Sequence, residues 1–561
     1  MIFRSPTALE YPKDATVTDV FLYSNPNNTP SDKPAIIDGP TGEIVFTYES
    51  LRVAVKKFAR YLQSEAGVKP GTVVAILSTT KNYFPVAVHG VLAVGAVVSA
   101  FNPLYQPKEI AHALRLAKPT HIIVEDTLLP ALQNGLSLAA LPTPPTTHIW
   151  SDTPSYTAPA PHHTLSIPHI LSTTPPVYHP PPIHPTSLAF IAFSSGTSGH
   201  VKGVALPHTS LVANIHQQRA ALPSLFASPT AVTALAVPFF HILGLAGFCC
   251  QYLAAGIPVV VFRRFDAAAL LAAVARHRVT HLNVVPPLAL ALLRAEPEAV
   301  EGRDLACLRC LVNAAAPLKQ PLADALARRF GVVVTQWYGM TEAAPSLASQ
   351  AEEEVGVRHT VGRLLPGVEA RVVGEEGEEC GVGVSGELVV RGPNMMAGYV
   401  REDGGEEDGA RDAEGWFRTG DIGYFDEKGY LFLVDRAKEM IKVKGHQVAP
   451  AELETILLGH PKVADAAVCG VYVDAEASEF PVAYVALHAG ESARGVKEMV
   501  DLRQDIRKHV DGQVAHYKRL KGGVHVLDAI PRNPSGKILR RLLPANLAKA
   551  ADINKSRVSK L

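Results

Sequence analysis

The sequence predicts an α/β protein with mostly parallel sheets, followed by a smaller α+β domain. Three observations lead there. Short apolar runs alternate with segments of helical periodicity through most of the 561 residues. The hydrophobic fraction is 47% and the charged fraction 19%, enough to bury a large core spread over roughly two to four domains or subdomains. After Arg436 the chain becomes more basic and reads as a compact α+β piece, so the expected domains are 1–436 and 437–561.

The elements follow in chain order. MIFRSPTALEYPKD at the N-terminus has no long apolar run after its positive charge, so no secretory signal is expected. TYESLRVAVKKFARYLQ (47–63) has helical periodicity after a threonine that can cap it. TVVAILS (72–78), THIIVED (120–126) and VTHLNVV (279–285) read as short buried strands. Residues 141–187 break this pattern with many prolines and with His162, His163, His169, His179 and His184. The histidines lack the spacing of metal ligands, so a Pro-rich surface loop is expected. Residues 220–262 contain no Asp, Glu, Lys or Arg. Pro238, His241, Gln251 and Pro258 interrupt that span, which predicts a buried strand, a loop and a helix rather than a membrane crossing. Cys307 and Cys310 form a lone CxxC inside LACLRCLV and read as two small buried side chains. The acidic, glycine-rich run 401–415 reads as a solvated loop.

Charge excludes one class of function. Lys+Arg and Asp+Glu both number 53, so nothing favours nucleic acid as a partner. No transmembrane segment is expected. Ser559-Lys560-Leu561 matches a peroxisomal address, which predicts a peroxisomal location and an import receptor as partner.

The chemistry starts at FSSGTSGHVKGV (193–204), directly after the strand-like SLAFIAF. Glycines let backbone approach a ligand, and successive N–H groups can form an anion nest. Hydroxyls and Lys202 add donors and a positive charge. The spacing is not that of a Walker loop. Three further motifs follow: YGMTE (338–342), GWFRTGDIGYFDEKGYLFLVDRAKEMIKVKGHQVAPAELE (415–454) and PRNPSGK (531–537). Together, in this order and spacing, they resemble the adenylate-forming (AMP-binding) superfamily over nearly the whole chain, in its acyl-CoA synthetase and 4-coumarate:CoA ligase-like branch.

That resemblance implies a large N-terminal domain with a small distorted barrel and a mobile C-terminal domain. It implies an acid:CoA ligase that uses ATP, Mg²⁺ and CoA. A carboxylate attacks the ATP α-phosphate, giving an acyl-adenylate and pyrophosphate; a thiol then displaces AMP. In the family pattern, Ser194, Ser195, Gly196, Thr197, Ser198, Gly199 and Lys202 hold the phosphates. Ala315, Gln336, Tyr338, Gly339, Thr341, Asp421 and Arg436 surround the nucleotide, with Asp421 on the ribose hydroxyls. Glu342 supplies the oxygen ligand for Mg²⁺. Lys537 neutralises charge at the α-phosphate. Lys438 is the hinge, Lys442 serves the thioester step, and Arg264, Lys444 and Gly445 serve CoA. His241 borders the acyl pocket with Leu243, Gly247, Ala314 and Trp337.

Departures within that pocket bear on the acid. Relatives that activate amino acids place an aspartate near His241; PFFHILGL has no acidic residue to pair an ammonium. Leu243 stands where 4-coumarate ligases have tyrosine, and Trp337 where they have glycine. A phenolic hydroxyl would lose its partner, which costs ~1–3 kcal/mol. Medium-chain fatty acids or apolar aryl acids such as cinnamate or phenylacetate fit better than p-coumarate. Two alternatives remain at this level: an enzyme that loads a carrier protein, and a non-catalytic acyl-binding protein.

Overall fold

The computed structural model describes residues 1–151, 163–194, 201–403, 406–407, 411–443, 446–473, 478–491, 496–533 and 536–546. Its contacts divide the chain into two compact units. The larger comprises Ile2–Glu369 and Val390–Phe417; the smaller comprises Ala370–Val389 and Arg418–Leu561, with Met1.

The larger unit is built on two nine-stranded sheets. In the first, Leu188–Ser194, Val97–Phe101, Val73–Leu77, His121–Glu125, Thr146–Trp150 and His163–Leu165 run parallel in that spatial order. Lys202–Pro207 then adds antiparallel to Leu188–Ser194. In the second, Val333–Gly339, Cys310–Asn313, His281–Val284, Thr233–Leu235, Val259–Val261 and Pro34–Asp38 run parallel. These strands are Val/Ile/Leu-rich and buried along most of their length, as expected for parallel sheets covered on both faces.

The predicted helix forms as Tyr48–Ser64, with Thr47 and Ser50 completing a capping box. A cap of this kind stabilises by ~1 kcal/mol. The uncharged span resolves into the strand Thr233–Leu235, the π-helical segment Leu243–Tyr252 and the strand Val259–Val261. No described helix is long and apolar enough to cross a membrane. Cys307 and Cys310 are both buried and unpaired.

Two loop expectations need correction. Within 141–187, Thr146–Trp150 and His163–Leu165 extend the first sheet, and Ile167–Thr173 is a helix capped by Ser166. Their apolar residues Ile149, Trp150, Leu165 and Ile167 are fully buried, and that burial overrides the proline-rich composition. In the acidic run, Glu406–Glu407 pairs with Gly398–Val400, because the sheet edge offers unsatisfied backbone groups.

Glu369–Val373, Gly386–Arg391, Phe417–Phe425 and Leu431–Arg436, mostly residues of the smaller unit, are neighbours in one sheet. The resemblance implied a small distorted barrel within the N-terminal domain; these strands form a half-barrel sheet that groups mostly with the smaller unit. Phe417–Phe425 alternates buried and exposed positions, so Asp421 shares the buried face with Phe417, Thr419 and Phe425. After Arg436 come the hairpin Ile441–Val443/His446–Val448, the helix Pro450–Leu457 and the helix Val496–Asp511. The sheet Val463–Val473, Ser478–Leu487 and Val524–Val526 completes the unit. Val448, Leu453, Leu457, Val468, Val485, Ile506 and Leu520 lie in its hydrophobic core.

Candidate active site

Each unit carries its own group of candidate residues. In the larger unit the parallel strand Leu188–Ser194 ends on Ser194, and Lys202 opens the returning strand directly opposite it. The loop between them holds Ser195, Gly196, Thr197, Ser198 and Gly199, which lie outside the described residues. Ser194 Oγ donates to Glu342 Oε1 at 3.1 Å. The hydroxyl of Tyr399 donates to the same oxygen at 2.9 Å, and Lys202 Nζ sits 4.2 Å from the centre of the Tyr399 ring. Burial and the charge of Glu342 push the Tyr399 phenol well up, so it stays protonated and donates. Tyr399 was not among the residues expected from the sequence. Its position in Gly398–Val400, which pairs with the strand carrying Lys202, brings it there.

Glu342 is 5% exposed and lies in the turn Thr341–Ala343 just after YGM. Gly339 makes that turn possible, because a Cβ there would meet the Pro345 carbonyl oxygen at 2.1 Å. Ala314 and Ala315 follow the neighbouring strand Cys310–Asn313. Ala315 has φ 69°, a left-handed conformation uncommon outside glycine, and faces solvent. Gln336 Oε1 accepts the Leu318 N–H at 3.0 Å and holds that loop against Val333–Gly339. Tyr338 is buried and Thr341 half-buried beside them.

His241 precedes the π-helical segment. Its Nδ1 accepts the Leu243 N–H at 3.3 Å, which places the ring proton on Nε2. Protein encloses the ring, with part of its surface still open, and this burial pushes the imidazole down to about 4. His241 is therefore neutral at pH 7. Leu243 is buried. Gly244 does not leave room, contrary to its small size: a Cβ would meet the Pro238 carbonyl oxygen at 2.2 Å and Phe239 Cα at 2.6 Å. Its smallness serves close packing onto Pro238–Phe239. Gly247 is looser, with Leu243 Cδ1 3.2 Å from the corresponding point. Trp337 is buried 6.3 Å from the Phe226 ring centre, and its indole N–H has no hydrogen-bond partner among the described residues. Arg264 is exposed in the turn before the helix Ala267–His277.

In the smaller unit, register sets Asp421 opposite Arg436, and Arg436 Nε lies 3.2 Å from Asp421 Oδ1. Lys537 comes within electrostatic reach of both, and of Glu439 and Arg540. Its loop is self-braced. Lys537 N–H donates to Asn533 Oδ1 at 2.8 Å, and Arg532 pairs with Asp465 at 2.8 Å. Lys438 is exposed in the turn after Arg436, and Lys442 is exposed on the strand Ile441–Val443. Lys444 and Gly445 lie outside the described residues.

Burial, reinforced by Arg436 and Arg540 and opposed by Glu439 and Asp421, pushes the Lys537 ammonium down to about 8. A kcat/KM profile reports free-enzyme ionisations. Adenylation, measured as acid-dependent ATP–pyrophosphate exchange, is therefore expected to lose kcat/KM for ATP as the pH rises through about 8. The charged form is present below that value and lost above it. Lys537→Arg keeps its charge throughout and should abolish that limb of the profile. An unchanged alkaline limb in the arginine variant would assign it to another group.

Comparison with known proteins supplies the family. The family model "AMP-binding enzyme" matches residues 22–400, and "AMP-binding enzyme C-terminal domain" matches 452–537. The chain is 34% identical over 528 residues to 4-coumarate–CoA ligase 1 of Oryza sativa subsp. japonica, covering 92% of this chain and 90% of the relative. It is 34% identical over 512 residues to Peroxisomal OPC-8:0-CoA ligase 1 of Arabidopsis thaliana, covering 90% and 89%. ATP-bound MatB from Rhodopseudomonas palustris superposes with a TM-score of 0.80 at 25% identity, over 94% of this chain and 98% of that one. The chain belongs to the AMP-binding enzyme family, as one of its AMP-forming acyl-CoA ligases.

Proposed function

We propose that the chain activates an apolar carboxylic acid, either a medium-chain fatty acid or an aryl acid such as cinnamate or phenylacetate, and transfers it to CoA. The observation that carries this reading is the apolar, uncharged surround of His241. Phe239 and Leu243, which flank it in sequence, are buried, Trp337 is buried beside Phe226, and PFFHILGL contains no acidic residue. An ammonium would find no carboxylate in that segment, and Leu243 offers a phenol none of the polar contact a tyrosine would. Neutral His241 leaves an incoming thiol uncharged surroundings. Measuring AMP release with ATP and CoA over octanoate, decanoate, cinnamate, phenylacetate, p-coumarate and glycine tests the reading. Preference for p-coumarate or glycine would overturn it.

The nucleotide roles follow the same proposal. The loop from Ser194 to Lys202 holds phosphate, with Thr341, while Asp421 accepts from the ribose and Arg436 orients it. Glu342 fits a hard cation: it is a buried carboxylate oriented by two hydroxyl donors, one of them from the phosphate loop itself. Mg²⁺ there would neutralise phosphate charge. Lys537 stabilises charge at the α-phosphate. The pivot is Lys438, just past the 436/437 domain boundary. Turning there exchanges Lys537 for the face carrying Lys442, Lys444 and Gly445, with Arg264 receiving CoA phosphate.

Trp337→Gly is expected to widen the acyl site and shift preference towards longer or bulkier acids, by about 1 kcal/mol or a little less per methylene. An unchanged chain-length profile in a folded variant would remove Trp337 from the pocket. The proposed location is the peroxisome, through Ser559-Lys560-Leu561, which lie outside the described residues. A fluorescent fusion with Leu561 free should be punctate and coincide with a peroxisomal marker. Deleting 559–561 should disperse it, and continued sorting after deletion would refute the address.

A further inference from the structure

The strand Leu431–Arg436 carries Asp435 next to the nucleotide-side arginine. The Asp435 side chain is half-buried and reaches the helix Pro450–Leu457. Its Oδ1 accepts the N–H of Arg436 at 2.8 Å, and its Oδ2 accepts the N–H of Ala451 at 2.9 Å. Ala451 is in the first turn of the helix Pro450–Leu457, so a carboxylate stands at the positive end of that helix. Burial raises Asp435 to about 6, against the pull of Arg540 and of the two N–H donors and together with the push of Glu454. It is ionised at neutral pH.

The helix it holds leads to Lys537. Glu454, on the same helix, is 3% exposed and accepts Arg540 Nη2 at 2.7 Å and the Val468 N–H at 2.9 Å. Arg540 also pairs with Glu439 and donates from Nε to the Val468 carbonyl at 3.0 Å. Arg540 follows Lys537 by three residues. Glu439, Glu454, Val468 and Arg540 all come after Lys438, so they would move as one piece. The bond from Asp435 to Ala451 instead spans Lys438.

We propose that Asp435 is a positioning residue for adenylation: across the Lys438 turn it fastens the strand bearing Arg436 to the helix that anchors the Lys537 loop, and it must release before CoA transfer. This rests on the reading that the chain beyond Lys438 turns between half-reactions. One charge-assisted hydrogen bond suits a fastening that must open in every cycle. Backbone pairing along a strand would not open so readily.

The test uses the full chain and two variants. Asp435→Asn keeps the shape and removes the charge. Ala451→Pro removes the donated N–H at a first-turn position where proline is tolerated. Both should lower acid-dependent ATP–pyrophosphate exchange by about tenfold, the effect of losing one such bond. Both should leave CoA transfer from supplied acyl-adenylate unchanged or faster, using the best acid of the panel above. Hydrogen exchange in the peptide 450–457 should accelerate in Asp435→Asn. Lys537→Ala, run alongside, separates the two levels: if it selectively loses adenylation, the turning model stands on its own. Equal loss of both half-reactions in Asp435→Asn and Ala451→Pro, or no loss of adenylation in either, would then overturn the Asp435 proposal alone.

Discussion

Lys537→Ala is expected to lower acid-dependent ATP–pyrophosphate exchange by roughly 100-fold or more, the size seen when one charge-stabilising donor is removed. Attack of a carboxylate on the α-phosphate brings two negative groups together, and the ammonium offsets that charge as it builds. The deletion should be clean. The Lys537 loop is held by its backbone, through Lys537 N–H to Asn533 Oδ1, Asn533 N–H to the Lys537 carbonyl at 2.9 Å, and Arg532 to the Gly536 carbonyl at 2.6 Å. None of these uses the side chain of Lys537. CoA transfer from a supplied acyl-adenylate should therefore stay nearly intact, since no pyrophosphate bond is then being broken. Circular dichroism confirms folding on the same preparation. Equal loss of both half-reactions would show that Lys537 does not belong to adenylation alone.

Lys438→Pro should give the opposite pattern. Lys438 sits in a turn bounded by two backbone bonds, from Ala437 N–H to the Gly420 carbonyl and from Glu439 N–H to the Arg436 carbonyl, both 2.9 Å. Proline fixes φ at this residue and restricts the residue before it. If the chain beyond it must turn for the second step, transfer of the acyl group to CoA should fall by roughly 100-fold, which is ~2.7 kcal/mol on its barrier. Pyrophosphate exchange should persist. A variant that transfers its acyl group to CoA at the wild-type rate would place the pivot elsewhere or remove the need for one.

The sequence by itself determined the family, the enzyme class and the sheet architecture. The reason is locality. The phosphate loop, YGMTE, the TGD-to-hinge run and PRNPSGK are each contiguous, so residue type and spacing are both visible without a fold. The parallel strands were legible for a similar reason, since VVAIL and HIIVE are apolar on both faces. Tertiary structure alone decided the partners. Ser194 and Tyr399 reach Glu342 across 148 and 57 residues, and only strand pairing delivers them. The same holds for the packing duty of Gly244, which depends on where Pro238 turns, and for the two strands and the helix inside the proline-rich stretch. The ionisation of Lys537 and Asp435 belongs here too. A lysine in PSGK looks like any exposed ammonium until burial beside Arg436 lowers its pKa to about 8. Hydrogen bonds and desolvation act over a few ångströms in space, whatever the distance along the chain, so these features appear only once the chain has folded.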